Sequence, residues 1–148
     1  MRFVIQRVQN ATVTVDDKVT GSIDKGFLVL IGVCEEDNEE IAEKMIHKLL
    51  GLRIFADSEG KTNLALKDVG GKLLLVSQFT LYADMKRGFR PSFIRAAKAE
   101  QANNLYEYIC SRCAAEGYEV QKGIFGADMK VSLLNDGPFT IILDSEEL

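Results

Sequence analysis

The five residues Ala11-Thr12-Val13-Thr14-Val15 alternate small or apolar side chains with hydroxyls. A period of two is the signature of a strand with one buried face and one wet face. The same reading extends over the first 33 residues. Residues 2–8 form one strand and residues 11–15 the next; Asp16-Asp17 supplies a turn, and residues 18–23 a further strand. Asp24-Lys25-Gly26 then turns into residues 27–33, an unbroken apolar run that suits a buried strand. A chain that opens in this way is committed to a β-rich fold.

The helical signals come later and are two in number. Asp37 or Asn38 caps the first, with Glu40 or Ile41 in its first turn. Ile41, Met45, Ile46, Leu49 and Leu50 make its apolar face, and Glu40 and Lys44 are spaced as a helical ion pair. The second helix lies within residues 92–117, where Ala102, Leu105, Tyr106, Ile109, Cys110 and Cys113 recur at helical spacing. Arg90-Pro91-Ser92 suits its start, with Ser92 as cap, and Gly117 suits its end. Residues 57–60 and 69–71 are turns, and strands are expected at 72–79, 118–123, 129–134 and 139–143. The pattern predicts an α+β domain of antiparallel strands with two helices covering one face.

A chain of 148 residues suits a single domain with a substantial core. An apolar fraction of 47% with 27% charged residues is that of an ordinary globular protein and argues against disorder. The apolar run at 27–34 is too short to span a bilayer, and Gln6 and Arg7 interrupt the N-terminal apolar stretch that a signal peptide needs. Three cysteines, an odd number without an export signal, favour reduced thiols and a cytoplasmic location. A net charge of −4 argues against nonspecific coating of nucleic acid. The charge is unevenly spread, however. Lys86, Arg87, Arg90, Arg95 and Lys98 form a basic block with no acid between them. Such a run is either a solvated face or a local phosphate contact.

Several common chemistries are excluded by what is missing. His47 is the only histidine and falls off the apolar stripe of the first helix, on its polar side. A Ser-His-Asp or Cys-His arrangement therefore has no base, and Cys34 with one CxxC pair supplies too few ligands for zinc. No metal or cofactor is expected. The CxxC itself, Cys110 to Cys113, lies late in an amphipathic helix on the apolar stripe, so core packing is a better reading than redox chemistry. More informative is the segment SQFTL at 77–81, where the apolar run 73–76 passes into polar Ser77, Gln78 and Thr80. It is either a plain strand end or a way of aiming hydroxyls, an amide and free N–H groups at a developing oxyanion. No base stands nearby to activate Thr80 as a nucleophile.

The stretch LLNDGPFTII at 133–142 contains strand residues on both sides of the turn sequence Asn135-Asp136-Gly137-Pro138. Proline is tolerated at the start of a strand, and most X–Pro bonds are trans, so a trans turn is the expectation from the residues alone.

Together, MRFVIQRV at the N-terminus, SQFTLYAD at 77–84, KRGFRPSF at 86–93, GIFGADM at 123–129 and NDGPFT at 135–140 resemble the D-aminoacyl-tRNA deacylase family. The resemblance spans nearly the whole chain in family order. It implies a homodimer on a barrel-like β fold with helices packed outside, needing no cofactor. The activity implied is hydrolysis of the ester joining a D-amino acid to the terminal adenosine of tRNA, and of glycine mischarged to tRNA. The site would lie at the dimer interface. Ser77, Gln78, Phe79 and Thr80 would line it from one subunit, with Met129 among the substrate-binding residues. Gly137-Pro138, as a cis peptide, would reach in from the partner to exclude L side chains, held by Arg7. Lys86, Arg87 and Arg90 would meet tRNA phosphates. Two mechanisms fit: attack by Thr80, or assistance by the 2′-OH of the tRNA with the protein supplying position and an amide near Phe79 or Thr80. The absence of a base favours the second. A noncatalytic RNA-binding module of the same fold is the rival reading. The chain departs from the commoner NDGPV wording at Phe139 and carries Phe89 within its basic loop.

Overall fold

The turn at Asp16-Asp17 has positive φ at both residues, 48° and 63°, which is what a two-residue hairpin demands of a chain with right-handed twist. In the computed structural model, which describes residues 1–148, this turn joins β1 (Arg2–Val15) to β2 (Lys18–Ile23). β3 (Gly26–Gly32) then returns along the other half of β1, from Val8↔Gly26 to Arg2↔Gly32. The two strands expected at 2–8 and 11–15 are one long strand. A bulge between Val8 and Asn10 makes them look like two, because it inverts the alternation. Phe3 and Ile5 face one side of the sheet, whereas Val8, Ala11 and Val13 face the other.

After β3 come α1 (Glu39–Gly51), a small ribbon of β4 (Phe55–Ala56) and β5 (Thr62–Leu64), and then β6 (Lys72–Ser77). β6 leads through α2 (Ala99–Ala115) to β7 (Val120–Lys122), and the chain ends in β8 (Lys130–Asp144). The main sheet runs β2-β1-β3-β6-β7, with β8 paired to the remaining edge of β1. Antiparallel pairing does not hold throughout. β3–β6 and β6–β7 are parallel, because each pair is joined by a long segment carrying a helix, the length of crossover that a parallel pair needs. Gly26 permits the closest part of this pairing, since a Cβ there would sit 1.9 Å from the Lys72 carbonyl oxygen. β2 meets β7 across the remaining gap, where Thr20 Oγ1 donates to the Lys122 carbonyl at 3.4 Å, so the sheet is a nearly closed barrel.

Alternation along β3 and β6 divides the core into two clusters. Phe27, Val29, Ile31, Leu73 and Leu75 face the helices together with Met45, Leu49, Leu105, Tyr106 and Ile109. Leu28, Leu74 and Val76 face the barrel interior with Val8, Ala11, Val13 and Ile23. Each fully buried side chain of this kind contributes about 1.5–3 kcal/mol, and both clusters share the same strands, which makes one domain. The helices are tied together by Glu43, which accepts from Tyr108 Oη at 2.7 Å and Arg112 Nε at 2.6 Å. Asn38 caps α1 by accepting from the Ile41 amide. Asp37 is the one buried charged residue. It accepts from the Met1 ammonium at 2.7 Å and from the Cys34 amide at 2.8 Å.

α2 begins at Ala99, later than Pro91 and Ser92 suggest, and Lys98 at its cap makes no side-chain hydrogen bond. Ser92 is instead paired with Asp84: each amide donates to the other's carbonyl, at 3.0 and 2.8 Å. No helix is long and apolar enough to cross a membrane.

Candidate active site

The apolar segment 73–76 is buried as β6, and its ladder to β3 ends where the Gln78 amide donates to the Ile31 carbonyl at 2.7 Å. The chain then winds into a 3-10 turn over Phe79–Tyr82. The first amides of such a turn have no acceptor within it. Carboxyl ends of parallel strands are where open sheets offer crevices, and a cavity of about 470 Å³ lies at this one. Ser77, Gln78, Phe79 and Met129 all line it.

The remaining walls come from two segments that composition and spacing did not single out. Ala97, Ala99 and Ala102 bring the start of α2 to the cavity, and residues 125–128 close the opposite side. The alanines leave space that larger side chains would fill. The helix is fixed by Tyr106 Oη, which donates to the Leu75 carbonyl at 2.7 Å, and the segment before it by the Ala97 amide, which donates to the Val33 carbonyl at 2.9 Å. The signal available in the sequence was the run of small residues Ala96, Ala97, Ala99 and Ala102.

Electrostatically the cavity is nearly neutral. Asp128 is its only ionisable lining residue, and that carboxylate is exposed and paired with Lys130 at 2.9 Å. Thr80 follows the lining residues and is exposed. Its hydroxyl accepts from Gln78 Nε2 at 2.5 Å and touches no histidine, lysine or carboxylate. His47 is exposed on α1 and lines a different depression, with Glu43, Arg53 and Glu116. Nowhere are three or more His, Cys, Asp or Glu side chains gathered to hold a metal. The CxxC thiols are buried in the helical core, and burial pushes Cys110 up to about 11 and Cys113 up to about 12. Neither has the thiolate character that redox chemistry requires.

The stretch around Gly137-Pro138 does not end a strand. β8 continues through it, and residues 136–139 are looped out opposite the single residue Arg7, between the pairs Val8↔Asn135 and Gln6↔Thr140. The Gly137-Pro138 bond is cis, as the family resemblance implies and against the trans turn expected from the residues alone. Asn135 brackets the loop by accepting from the Phe139 amide at 2.7 Å and donating to Thr140 Oγ1 at 3.0 Å. Gly137 has φ +143°, and a Cβ there would meet the Phe139 nitrogen at 2.9 Å. Arg7 lies behind the loop. Its Nε donates to the Asp136 carbonyl at 2.9 Å, its Nη1 to the Ile54 carbonyl at 2.5 Å, and its guanidinium sits 4.6 Å over the Phe139 ring. Gly137 and Pro138 themselves are exposed and do not line the cavity of their own chain.

Lys86, Arg87 and Arg90 stand on the loop between Asp84 and Ser92, all exposed. Phe79 on the cavity wall packs edge-on against Phe93, just past that loop, with ring centroids 5.0 Å apart.

The fold and cavity define a nearly closed β-barrel protein with a mostly apolar pocket beside a cationic loop. Residues 4–144 match the family described as D-Tyr-tRNA(Tyr) deacylase. A D-aminoacyl-tRNA deacylase of Koribacter versatilis is 51% identical, covering 99% of each chain. Another, of Shewanella denitrificans, is 56% identical over 97% of this chain and 99% of the relative. Among solved structures, a c-Myc DNA unwinding element binding protein superposes with a TM-score of 0.91 at 38% identity, covering 97% of this chain and 98% of its own. A probable eukaryotic D-amino acid tRNA deacylase shares the fold, with a TM-score of 0.82 at 20% identity. The chain belongs to the D-Tyr-tRNA(Tyr) deacylase family.

Proposed function

We propose that the chain is a cytoplasmic editing hydrolase that removes D-amino acids, and mischarged glycine, from tRNA. Water adds to the carbonyl carbon of the aminoacyl ester, the acyl–oxygen bond breaks, and the terminal adenosine hydroxyl leaves with a proton. The observation that carries this reading is the placement of Ser77, Gln78 and Phe79 in a cavity whose only ionisable lining residue is an exposed, paired carboxylate. Such a site positions and polarises an ester but supplies no strong base. The 2′-OH of the terminal adenosine then assists the attack, while an amide at Phe79 or Thr80 meets the developing oxyanion.

Stereochemical choice follows from a second copy of the chain. The exposed loop at Gly137-Pro138, held from behind by Arg7, enters the cavity of the partner in a homodimer. With ammonium and ester fixed, L and D side chains point in different directions. A backbone wall in the L direction excludes L residues without reading the D side chain. Glycine has only hydrogens there and passes. A clash of about 4 kcal/mol suffices for about a thousandfold discrimination. Lys86, Arg87 and Arg90 contact tRNA phosphates beside the cavity.

Incubation with D-Tyr-tRNA and L-Tyr-tRNA tests this directly: release of the D residue alone is expected. Equal release of both would make the chain a general esterase. Binding without release would favour a noncatalytic nucleic-acid-binding module, a reading to which the name of the 38%-identical solved relative lends weight. Substrate ending in 2′-deoxyadenosine should be nearly inert, and full turnover of it would refute the RNA-assisted step.

A further inference from the structure

Phe89 is 100% exposed, at the tip of a loop with an unusual combination of features. The loop spans residues 85–91 and is pinched at its base by the two Asp84–Ser92 hydrogen bonds of 2.8 and 3.0 Å. Its start is ordered by Asp84 Oδ1, which accepts from the Lys86 amide at 2.8 Å. Gly88 adopts φ +75°, a left-handed turn that carries the chain round immediately before Phe89. The ring is therefore held away from the protein by an organised loop.

Its charged neighbours are equally free. Arg95, beyond the pinch, pairs with Glu146 at 2.9 Å. Lys86, Arg87 and Arg90 stand exposed on the same loop, with no ion-pair partner and no side-chain hydrogen bond on the chain. The loop is also coupled to the cavity: Phe79, a lining residue, is packed edge-on against Phe93, one residue past the pinch. A flat apolar ring among unpaired cations matches a ligand that is itself flat, polyanionic and single-stranded. Aromatic platforms in cationic surroundings bind unpaired nucleobases by stacking while the cations hold the phosphates. Met85 on the loop and Ile94 beyond it are exposed as well, so an acidic, apolar protein patch is the competing occupant; the cations without ion-pair partners on the same loop favour a polyanion that can also stack.

We propose that Phe89 stacks on one unpaired nucleobase of the tRNA 3′ end, and so sets how the acceptor strand enters the cavity. The inference rests on the tRNA-editing reading above and adds to it a base contact. Phe89 acts as a positioning residue, since nothing places it at the ester.

The test is a double-mutant cycle on the full chain, with intact tRNA and with tRNAs carrying an abasic nucleotide at each unpaired 3′ position in turn. Phe89→Ala should weaken tRNA binding and raise KM roughly five- to 150-fold, the range for losing one stacked base, with the effect falling on KM rather than kcat. Phe89→Trp should restore binding, and Phe89→Leu should not. One abasic position should reproduce the loss and add nothing to Phe89→Ala. Undiminished binding by Phe89→Ala overturns the stacking contact. In that event a loss in the Lys86→Ala, Arg87→Ala double variant preserves the tRNA reading, and no loss in either variant overturns both. Rescue by Leu as complete as by Trp shows a generic apolar contact and also overturns the proposal.

Discussion

At the end of β6, Ser77 and Gln78 turn onto a cavity of about 470 Å³, whereas on β8, Gly137 and Pro138 turn outward into solvent. Both segments interrupt a strand with polar or turn residues, and both are held by hydrogen bonds from behind. One is concave and built from the ends of three elements. The other is convex and is held by Arg7 and Asn135. Within one chain they do not share a lining. Each has the shape that the other lacks, and the proposed homodimer would bring the two together.

Damage to the common scaffold should affect both regions alike and produces the largest effect. Asp37→Ala leaves the buried Met1 ammonium with the Ser145 hydroxyl but no anionic partner, and such a loss costs about 3–5 kcal/mol. Thermal or urea unfolding should show the drop, while the ratio of D to L cleavage per folded molecule stays at the wild-type value. Arg7→Ala should do the reverse. It removes the donors to Asp136 and Ile54, and charged hydrogen bonds of this kind are worth about 1.5–3 kcal/mol. D/L selectivity should fall on the order of 10- to 100-fold, with L-Tyr-tRNA cleavage gained and D-Tyr-tRNA cleavage kept. An Arg7→Ala enzyme that remains strictly D-specific would detach the β8 loop from stereochemical choice.

Smaller effects separate the cavity from its surroundings. Thr80→Val deletes a hydroxyl whose only side-chain partner is Gln78. Its kcat should fall less than about tenfold, well short of the 10²–10³ that removal of a main oxyanion donor brings. Complete inactivity at saturating substrate would instead make Thr80 the nucleophile. His47→Ala, in a separate depression on α1, should leave kcat unchanged; a large fall in kcat would place His47 in the chemistry.

The two regions were also unequally legible in the sequence. Ser77 to Phe79 stood out because an apolar run switches to polar residues at one point, a local signal that survives folding. Composition and spacing gave no sign that the alanines of α2 or residues 125–128, the latter visible only within the family stretch 123–129, would wall a cavity, since that role arises only when distant segments meet. The β8 loop was visible as Asn-Asp-Gly-Pro but was read from its residues as an ordinary trans turn. Pairing with β1 on both sides keeps β8 continuous there, and pairing is not encoded within the stretch itself. The same limit explains Ser92, a sound cap by type that is drawn into a bridge with Asp84. It explains the parallel pairings too, because strand direction depends on where the helical crossovers return the chain. Helix faces, the hairpin at Asp16-Asp17 and the burial of the CxxC thiols depend on near neighbours and were read directly.

Subunit mixing tests the cross-subunit site most directly. A Ser77→Ala, Gln78→Ala chain has a disabled cavity and an intact β8 loop; an Arg7→Ala chain has the opposite lesion. Refolding Arg7→Ala with a large excess of the cavity variant places every working cavity opposite an intact loop. L-Tyr-tRNA cleavage should then fall to the wild-type background while D-Tyr-tRNA cleavage persists. L cleavage that is indifferent to the added chain would show that the loop and the cavity act within one copy, or not together at all.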